Sequence, residues 1–228
     1  MSSLLRQAGR VAWKDLRVEL RSKEIVMTMI FFATLLAAIY ALAFKGQDPR
    51  AVRGAVPALL WVSLAFSGTI ALGRAFDRER ENDTMRALLL APVPRLAVFL
   101  GKAIAMTVLI LSVALIVVPL LALWLNAPLF KHTGPLALIV LLGSVGIALV
   151  GSVFSATLLK VRSRDVLLPV ILYPLLIPLF IAGTRTTAVL VAEIPNLEQA
   201  WFWIGFVGIY DAVFLVLSLW TFESLVIE

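Results

Sequence analysis

Apolar residues run along this chain in long uninterrupted blocks set apart by short clusters of charge, and the period-two alternation of a half-buried strand is missing. A bilayer core about 30 Å thick takes about 20 apolar residues of helix to cross. Blocks at about residues 25 to 44, 55 to 73, 96 to 125, 135 to 159, 166 to 183 and 201 to 222 reach or approach that length. The sequence therefore predicts an all-α integral membrane protein with six transmembrane helices. The third and fourth blocks exceed one crossing, which implies tilt or projection beyond the bilayer, and Pro119 is placed to kink the third. The fifth is short and holds Pro169, Pro174 and Pro178, each of which frees a backbone carbonyl, so a bent or broken helix is expected there.

Two polar segments have periodicities of their own. In residues 4 to 23, Arg6, Arg10, Lys14, Arg17 and Arg21 recur every three or four positions, with Leu5, Ala8, Ala12, Leu16 and Leu20 on another face. Residues 1–24 are expected to form an amphipathic helix along the inner membrane surface, with Trp13 at the interface, anchored to lipid headgroups or touching a partner subunit. The segment 74–95 begins as a run of mixed charge. It then changes to a short helix capped by Asn82, Asp83 or Thr84 and stopped before Pro92. Met85, Leu88 and Leu89 would share one face of that helix, an apolar knob that needs a groove on a cytoplasmic partner.

Charge fixes the orientation. Of 20 basic residues, only Lys45, Arg50, Arg53, Lys131 and Arg185 fall outside if the N-terminus is cytoplasmic, so the positive-inside rule puts both termini in the cytoplasm. The net charge of +6 thus sorts by membrane side, and no nucleic-acid role is expected. Hydrophobic residues make up 61% of the 228 and charged ones 15%, more apolar than a soluble domain can hide. The whole chain, 1–228, reads as one transmembrane domain, since the longest loop is about 22 residues. The charged stretch ahead of the first block is unlike a cleavable signal, and no removed segment is expected.

The absence of cysteine removes disulfides, thiolate metal sites, covalent haem attachment and a Cys nucleophile. No Gly-rich phosphate loop ends in Gly-Lys-Ser or Gly-Lys-Thr, so ATP chemistry by that route belongs to a partner. Asp77, Glu79, Glu81 and Asp83 are interleaved with arginines and have no His partners, which does not make an active site. No catalytic residue and no metal site are expected. Two lone groups remain candidates. Asp211 lies about ten residues inside the last block, where an ionisable side chain faces the bundle interior and carries either a structural hydrogen bond or a part in gating. His132, in an outer loop, is a solvated side chain or a weak candidate for a haem contact. In the fourth block Ser144, Ala148, Ser152 and Ala156 form a small-residue ridge for close helix approach.

The order of elements resembles the permeases of ABC exporters, and most closely the cytochrome c maturation protein B family, also called haem exporter protein B. The residues that carry the resemblance are Asp15-Leu-Arg-Val-Glu-Leu-Arg21, Pro57-Ala-Leu-Leu-Trp61, Phe76 to Pro92, Gly101-Lys102 and Leu168-Pro-Val-Ile-Leu-Tyr-Pro-Leu-Leu-Ile-Pro178. The family's loop usually reads like Asp-Gly-Ser-Leu-Glu where this chain has Asn82-Asp83-Thr84-Met85-Arg86. The resemblance implies a bacterial inner-membrane dimer joined to two copies of a cytoplasmic ATPase, which would dock on Asp83, Thr84, Met85, Arg86, Leu88 and Leu89. It also implies a haem-handling membrane protein and a periplasmic haem chaperone as partners, with haem as cargo and no directly bound cofactor. The output would be haem export or release of the haem-loaded chaperone. A general exporter of a lipid, glycan or drug would share the architecture.

Overall fold

A computed structural model describes residues 2–81, 94–158 and 164–225. Seven long helices account for nearly all of it: α1 (Ser2–Ser22), α2 (Glu24–Ala43), α3 (Pro49–Glu81), α4 (Arg95–Trp124), α5 (Thr133–Thr157), α6 (Arg164–Val191) and α7 (Leu197–Leu225). A 3₁₀ turn, Leu129–His132, leads into α5. Six of the helices are long and apolar enough to cross a membrane: Val26–Ala43, Pro49–Gly73, Leu96–Trp124, Leu129–Ser155, Val166–Val191 and Leu197–Trp220. The protein is all-α and multi-pass.

The predicted spans and the observed helices agree in number and order, with two corrections. Block two was expected to start near residue 55 and give way to a charged loop at 74. Instead α3 runs unbroken for 33 residues from Pro49 to Glu81, carrying Pro57 inside it. Residues 74–81 contain no Gly or Pro and are rich in Arg and Glu, which propagate a helix readily. Block five was expected to be short and bent or broken. It is one continuous helix of 28 residues that includes Pro169, Pro174 and Pro178 and extends past Arg185. A neighbour helps to hold this stretch: the Tyr210 hydroxyl of α7 donates to Leu175 O at 2.9 Å, one residue beyond the Pro174 carbonyl that Pro178 leaves without its helical donor.

α5 is the axis of the bundle and packs against α3, α4, α6 and α7. Ser144, Ala148 and Ser152 of the predicted ridge are all buried. Glycines beside that ridge make room for side chains of the neighbouring helices. A β-carbon on Gly143 would come within 2.3 Å of the Trp61 ring, one on Gly146 within 2.2 Å of Leu179 Cδ1, and one on Gly151 within 2.2 Å of Leu72 Cδ1. Lipid supplies no hydrophobic push between helices, so such close van der Waals contact is what holds a membrane bundle together.

Trp61 is the clearest case. It is 2% exposed and lies as a slab between α5 and α6, with its ring against Gly143 on one helix and Gly183 on the other. Its Nε1–H donates to Thr187 Oγ1 at 3.1 Å, and the Thr187 hydroxyl in turn donates to Gly183 O at 2.8 Å. The indole thus fills a slot cut by two missing side chains and has its one donor satisfied inside the bundle. A second tie between α3 and α6 sets Thr69 Oγ1 3.1 Å from Tyr173 Oη.

α2 packs on α3 and α4 through Met29, Ala33 and Ala37, spaced four apart and fully buried, and turns Met27, Phe31, Leu35, Ile39 and Leu42 outward. α1 differs from the six spans. It docks across α4 by Ala8, Val11 and Ala12, while Leu5 and Leu20, expected on the same apolar face, are exposed. The apolar residues of α1 therefore serve two surfaces, one against protein and one pointing away from it.

Candidate functional site

The segment expected to meet a partner, with Asp83, Thr84, Met85, Arg86, Leu88 and Leu89, lies outside the described residues. Its two anchors are described. It leaves the end of α3 at Glu81 and re-enters at Pro94, whose carbonyl accepts the amide of Ala97 at 2.8 Å to open α4. Pro94 suits that place because it has no N–H to satisfy and a fixed φ. The segment is thus tied at both ends to long helices that pack on each other.

The beginning of α4 is also where α1 is fastened. Gly101 makes room for the crossing, since a β-carbon there would meet Val11 Cβ at 2.6 Å and Ala8 O at 2.8 Å. One residue on, Lys102 is 5% exposed and its Nζ lies 3.7 Å from Asp15 Oδ2 of α1, while Lys14 reaches Asp15 Oδ1 at 3.0 Å. The same helix face then reaches α2. Glu19, 3% exposed, accepts the amide of Val26 at 2.9 Å through Oε1, so it satisfies one of the orphan donors at the start of α2. The elbow between the two helices is Lys23, held at φ 58°, with its amide on Glu19 O at 2.6 Å. Asp15, Glu19, Gly101 and Lys102 link the beginnings of α4 and α2 through α1. Sequence reading grouped Lys102 with the inner basic residues and missed this link; its place inside the third apolar block was the available signal.

Asp211 occupies the inward stripe of α7, in register with Ala200, Ile204, Val207 and Ser218, all buried. Asp211 is 6% exposed, and both of its carboxyl oxygens are buried with no hydrogen-bond partner among the described residues. It lies over Gly146 of α5, where a β-carbon would come within 2.5 Å of Oδ1 and 2.2 Å of Leu179 Cδ1 from α6. The acid therefore sits in the seam of three helices of the chain, where an intramembrane ionisable group does not face lipid.

His132 was expected to be either a solvated side chain or a weak candidate for a haem contact. It closes the 3₁₀ turn before α5, is half-buried, and has Nε2 turned inward with no hydrogen-bond partner among the described residues. The turn carries it inward because Leu129, at its start, packs into the core. His132 and Asp211 are not brought together: one stands at the start of α5 and the other faces the middle of that helix. No three His, Asp or Glu side chains converge on a metal-binding arrangement among the described residues.

Comparison with known proteins places the chain as a whole. The pattern of the family described as CcmB protein matches residues 6–226. Heme exporter protein B of Pseudomonas aeruginosa is 27% identical over 176 residues, which cover 77% of this chain and 78% of that protein. Heme exporter protein B of Bradyrhizobium diazoefficiens is 24% identical over 176 residues, with 76% and 78% covered. The protein of the same name in Escherichia coli K12 is 31% identical over 98 residues, 41% of this chain and 44% of that one. A match from residue 6 to residue 226, over six helices long and apolar enough to span a bilayer, makes this chain a member of the CcmB protein family.

Proposed function

We propose that the chain is the permease subunit of an ABC transporter complex for c-type cytochrome maturation. It couples ATP hydrolysis by a separate cytoplasmic ATPase subunit to haem export or to release of a haem-loaded periplasmic chaperone. The observation that carries this reading is membership of a family whose curated relatives are named heme exporter protein B. The architecture agrees with it, since a chain whose bulk is six apolar helices provides a path or a moving part and leaves ATP chemistry to a partner.

In this reading two copies of the chain sit with two ATPases in the inner membrane, with both termini cytoplasmic. Asp83, Thr84, Met85, Arg86, Leu88 and Leu89 form the docking knob between α3 and α4. A push on that knob reaches α4 directly and reaches α2 through α1. Asp211 is the intramembrane group that takes part in the rearrangement, and His132 is the candidate haem contact. Haem is cargo and no cofactor resides in the chain.

The test is copurification and turnover in gentle detergent. The isolated chain should hydrolyse no ATP, and activity should appear with the ATPase. Leu88→Asp or Leu89→Asp should weaken assembly, since a buried charge without a partner costs several kcal/mol. Hydrolysis by the isolated chain, or full retention of the ATPase by both variants, would sink the reading.

A further inference from the structure

The charges of α1 are sorted by face. Its two acids point into the protein, Asp15 to Lys14 and Lys102 and Glu19 to the start of α2. Arg6, Arg10, Arg17 and Arg21 stand on the opposite side, exposed, and no acidic partner reaches them among the described residues. A third strip lies between these two faces at about 100° of turn per residue. It consists of the exposed apolar residues Leu5, Trp13 and Leu20, at 59%, 62% and 64% exposure. Arg10, Trp13, Lys14, Arg17, Val18 and Arg21 together line an open groove of about 360 Å³.

The depth of the helix agrees with its faces. α1 crosses α4 at Gly101 and Lys102, five to six residues past the start of the apolar stretch at Leu96, which at 1.5 Å per residue is about 8 Å. An interfacial helix buries its apolar side about 5–10 Å deep, at the boundary of headgroups and acyl chains. A water-exposed helix has no use for an uncovered Trp and Leu strip, and a purely lipid-buried one has no use for four unpaired arginines. A phosphate headgroup above an acyl chain matches both strips at once.

We propose that α1 is a cradle for an anionic phospholipid of the leaflet on which it lies. Arg10, Arg17 and Arg21 hold the headgroup phosphate, and Trp13 and Leu20 lie along its acyl region. Guanidinium groups suit this because they bind phosphate oxygens in a bidentate fashion. Because α1 is locked to α4 at Gly101 and to α2 through Glu19, lipid occupancy fixes the depth at which those two helices begin. The proposal depends on the six spans and not on the cargo or the ATPase, so its failure leaves the permease reading standing.

The experiment compares the full-length protein and its R10Q/R17Q/R21Q variant in nanodiscs of phosphatidylcholine alone or of phosphatidylcholine mixed with phosphatidylglycerol. Retained phosphatidylglycerol and the thermal unfolding midpoint are both read. Wild type should retain phosphatidylglycerol and unfold at a higher temperature in its presence. The variant should bind it on the order of 100-fold more weakly, at about 1 kcal/mol per basic residue near the surface, while unfolding like wild type in phosphatidylcholine. A Trp13→Ser variant, with every charge kept, should also retain less lipid. Equal retention of phosphatidylglycerol by wild type and the triple variant overturns the proposal. So does a triple variant that keeps its lipid but no longer copurifies a protein partner, which would make the arginine face a protein contact.

Discussion

The carboxyl group of Asp211 rests on the bare backbone of Gly146, close enough that a methyl group at residue 146 and Oδ1 could not both keep their places. A polar group with both oxygens unpartnered among the described residues is thus pinned where α5, α6 and α7 meet, and glycine is what admits it. Two separate substitutions follow from this pairing. Asp211→Asn keeps the volume and removes only the titratable proton, whereas Gly146→Ala keeps the acid and displaces it. If Asp211 takes part in the conformational cycle, both should leave assembly with the ATPase intact and lower coupled output. Copurified ATPase, ATP hydrolysis and c-type cytochrome yield in cells lacking the native copy measure this. Full cytochrome yield from Asp211→Asn would remove the acid from the mechanism; Asp211→Leu, which takes away two buried oxygens without leaving a described hydrogen-bond partner unsatisfied, should then cost little stability.

The Trp61 slot separates packing from hydrogen bonding. Trp61→Phe keeps an aromatic slab and forfeits the bond to Thr187, a loss of about 1 kcal/mol. Trp61→Ala empties the slot and should cost about 3–5 kcal/mol. Gly183→Ala puts a methyl group where the indole lies and should approach the Ala variant in severity. Thermal unfolding in detergent ranks the three; a Gly183→Ala protein as stable as wild type would mean that the slab is not held as described.

How firmly α1 is fastened can be read with a single thiol, because the chain has no cysteine of its own. Val11→Cys places that thiol at the buried crossing over Gly101, where it should be shielded from a soluble maleimide. Adding Asp15→Ala leaves the buried Lys102 without the Asp15 carboxylate, a loss of about 1–3 kcal/mol, and labelling should accelerate roughly 10-fold. Unchanged labelling would show that the apolar crossing alone holds the helix.

Much of the fold was legible because each membrane crossing writes itself as a long apolar block, and α2, α4, α5 and α7 follow their blocks to within a few residues. The ends of α3 and α6 were not legible by that signal. Hydropathy stops where charge begins, but Arg74–Glu81 is rich in good helix formers, and the stretch after Gly183, whose Thr and Val are weak ones, stays helical with Thr186, Thr187, Leu190 and Val191 buried against the bundle. Asp211 announced itself as a charge inside an apolar run, and its inward direction was expected on those grounds. Gly146, Gly143 and Gly183 gave no such notice, because their contribution is the absence of a side chain opposite Asp211 and Trp61, which only the folded bundle reveals. Lys102 and Asp15 were visible as charges but not as a pair, since they lie on helices far apart in sequence. The knob at Met85, Leu88 and Leu89 is the part of the site that rests on sequence alone.

The unbroken course of α3 gives the protein a lever arm. Its 33 residues measure about 50 Å at 1.5 Å per residue, well beyond the bilayer core of about 30 Å, and they join the segment after Glu81 to the rim that carries Arg50 and Arg53. Helices are stiff over that length, so a tilt of only about 5° about one end displaces the other by about 4 Å. The rim arginines pair with Glu193, which follows the last turn of α6, at 3.3 Å from Arg53 and 4.0 Å from Arg50. A swing of that size exceeds the reach of either contact. In the proposed cycle, a small tilt of α3 as a single rod held near Glu81 would therefore be enough to part it from Glu193 at this rim.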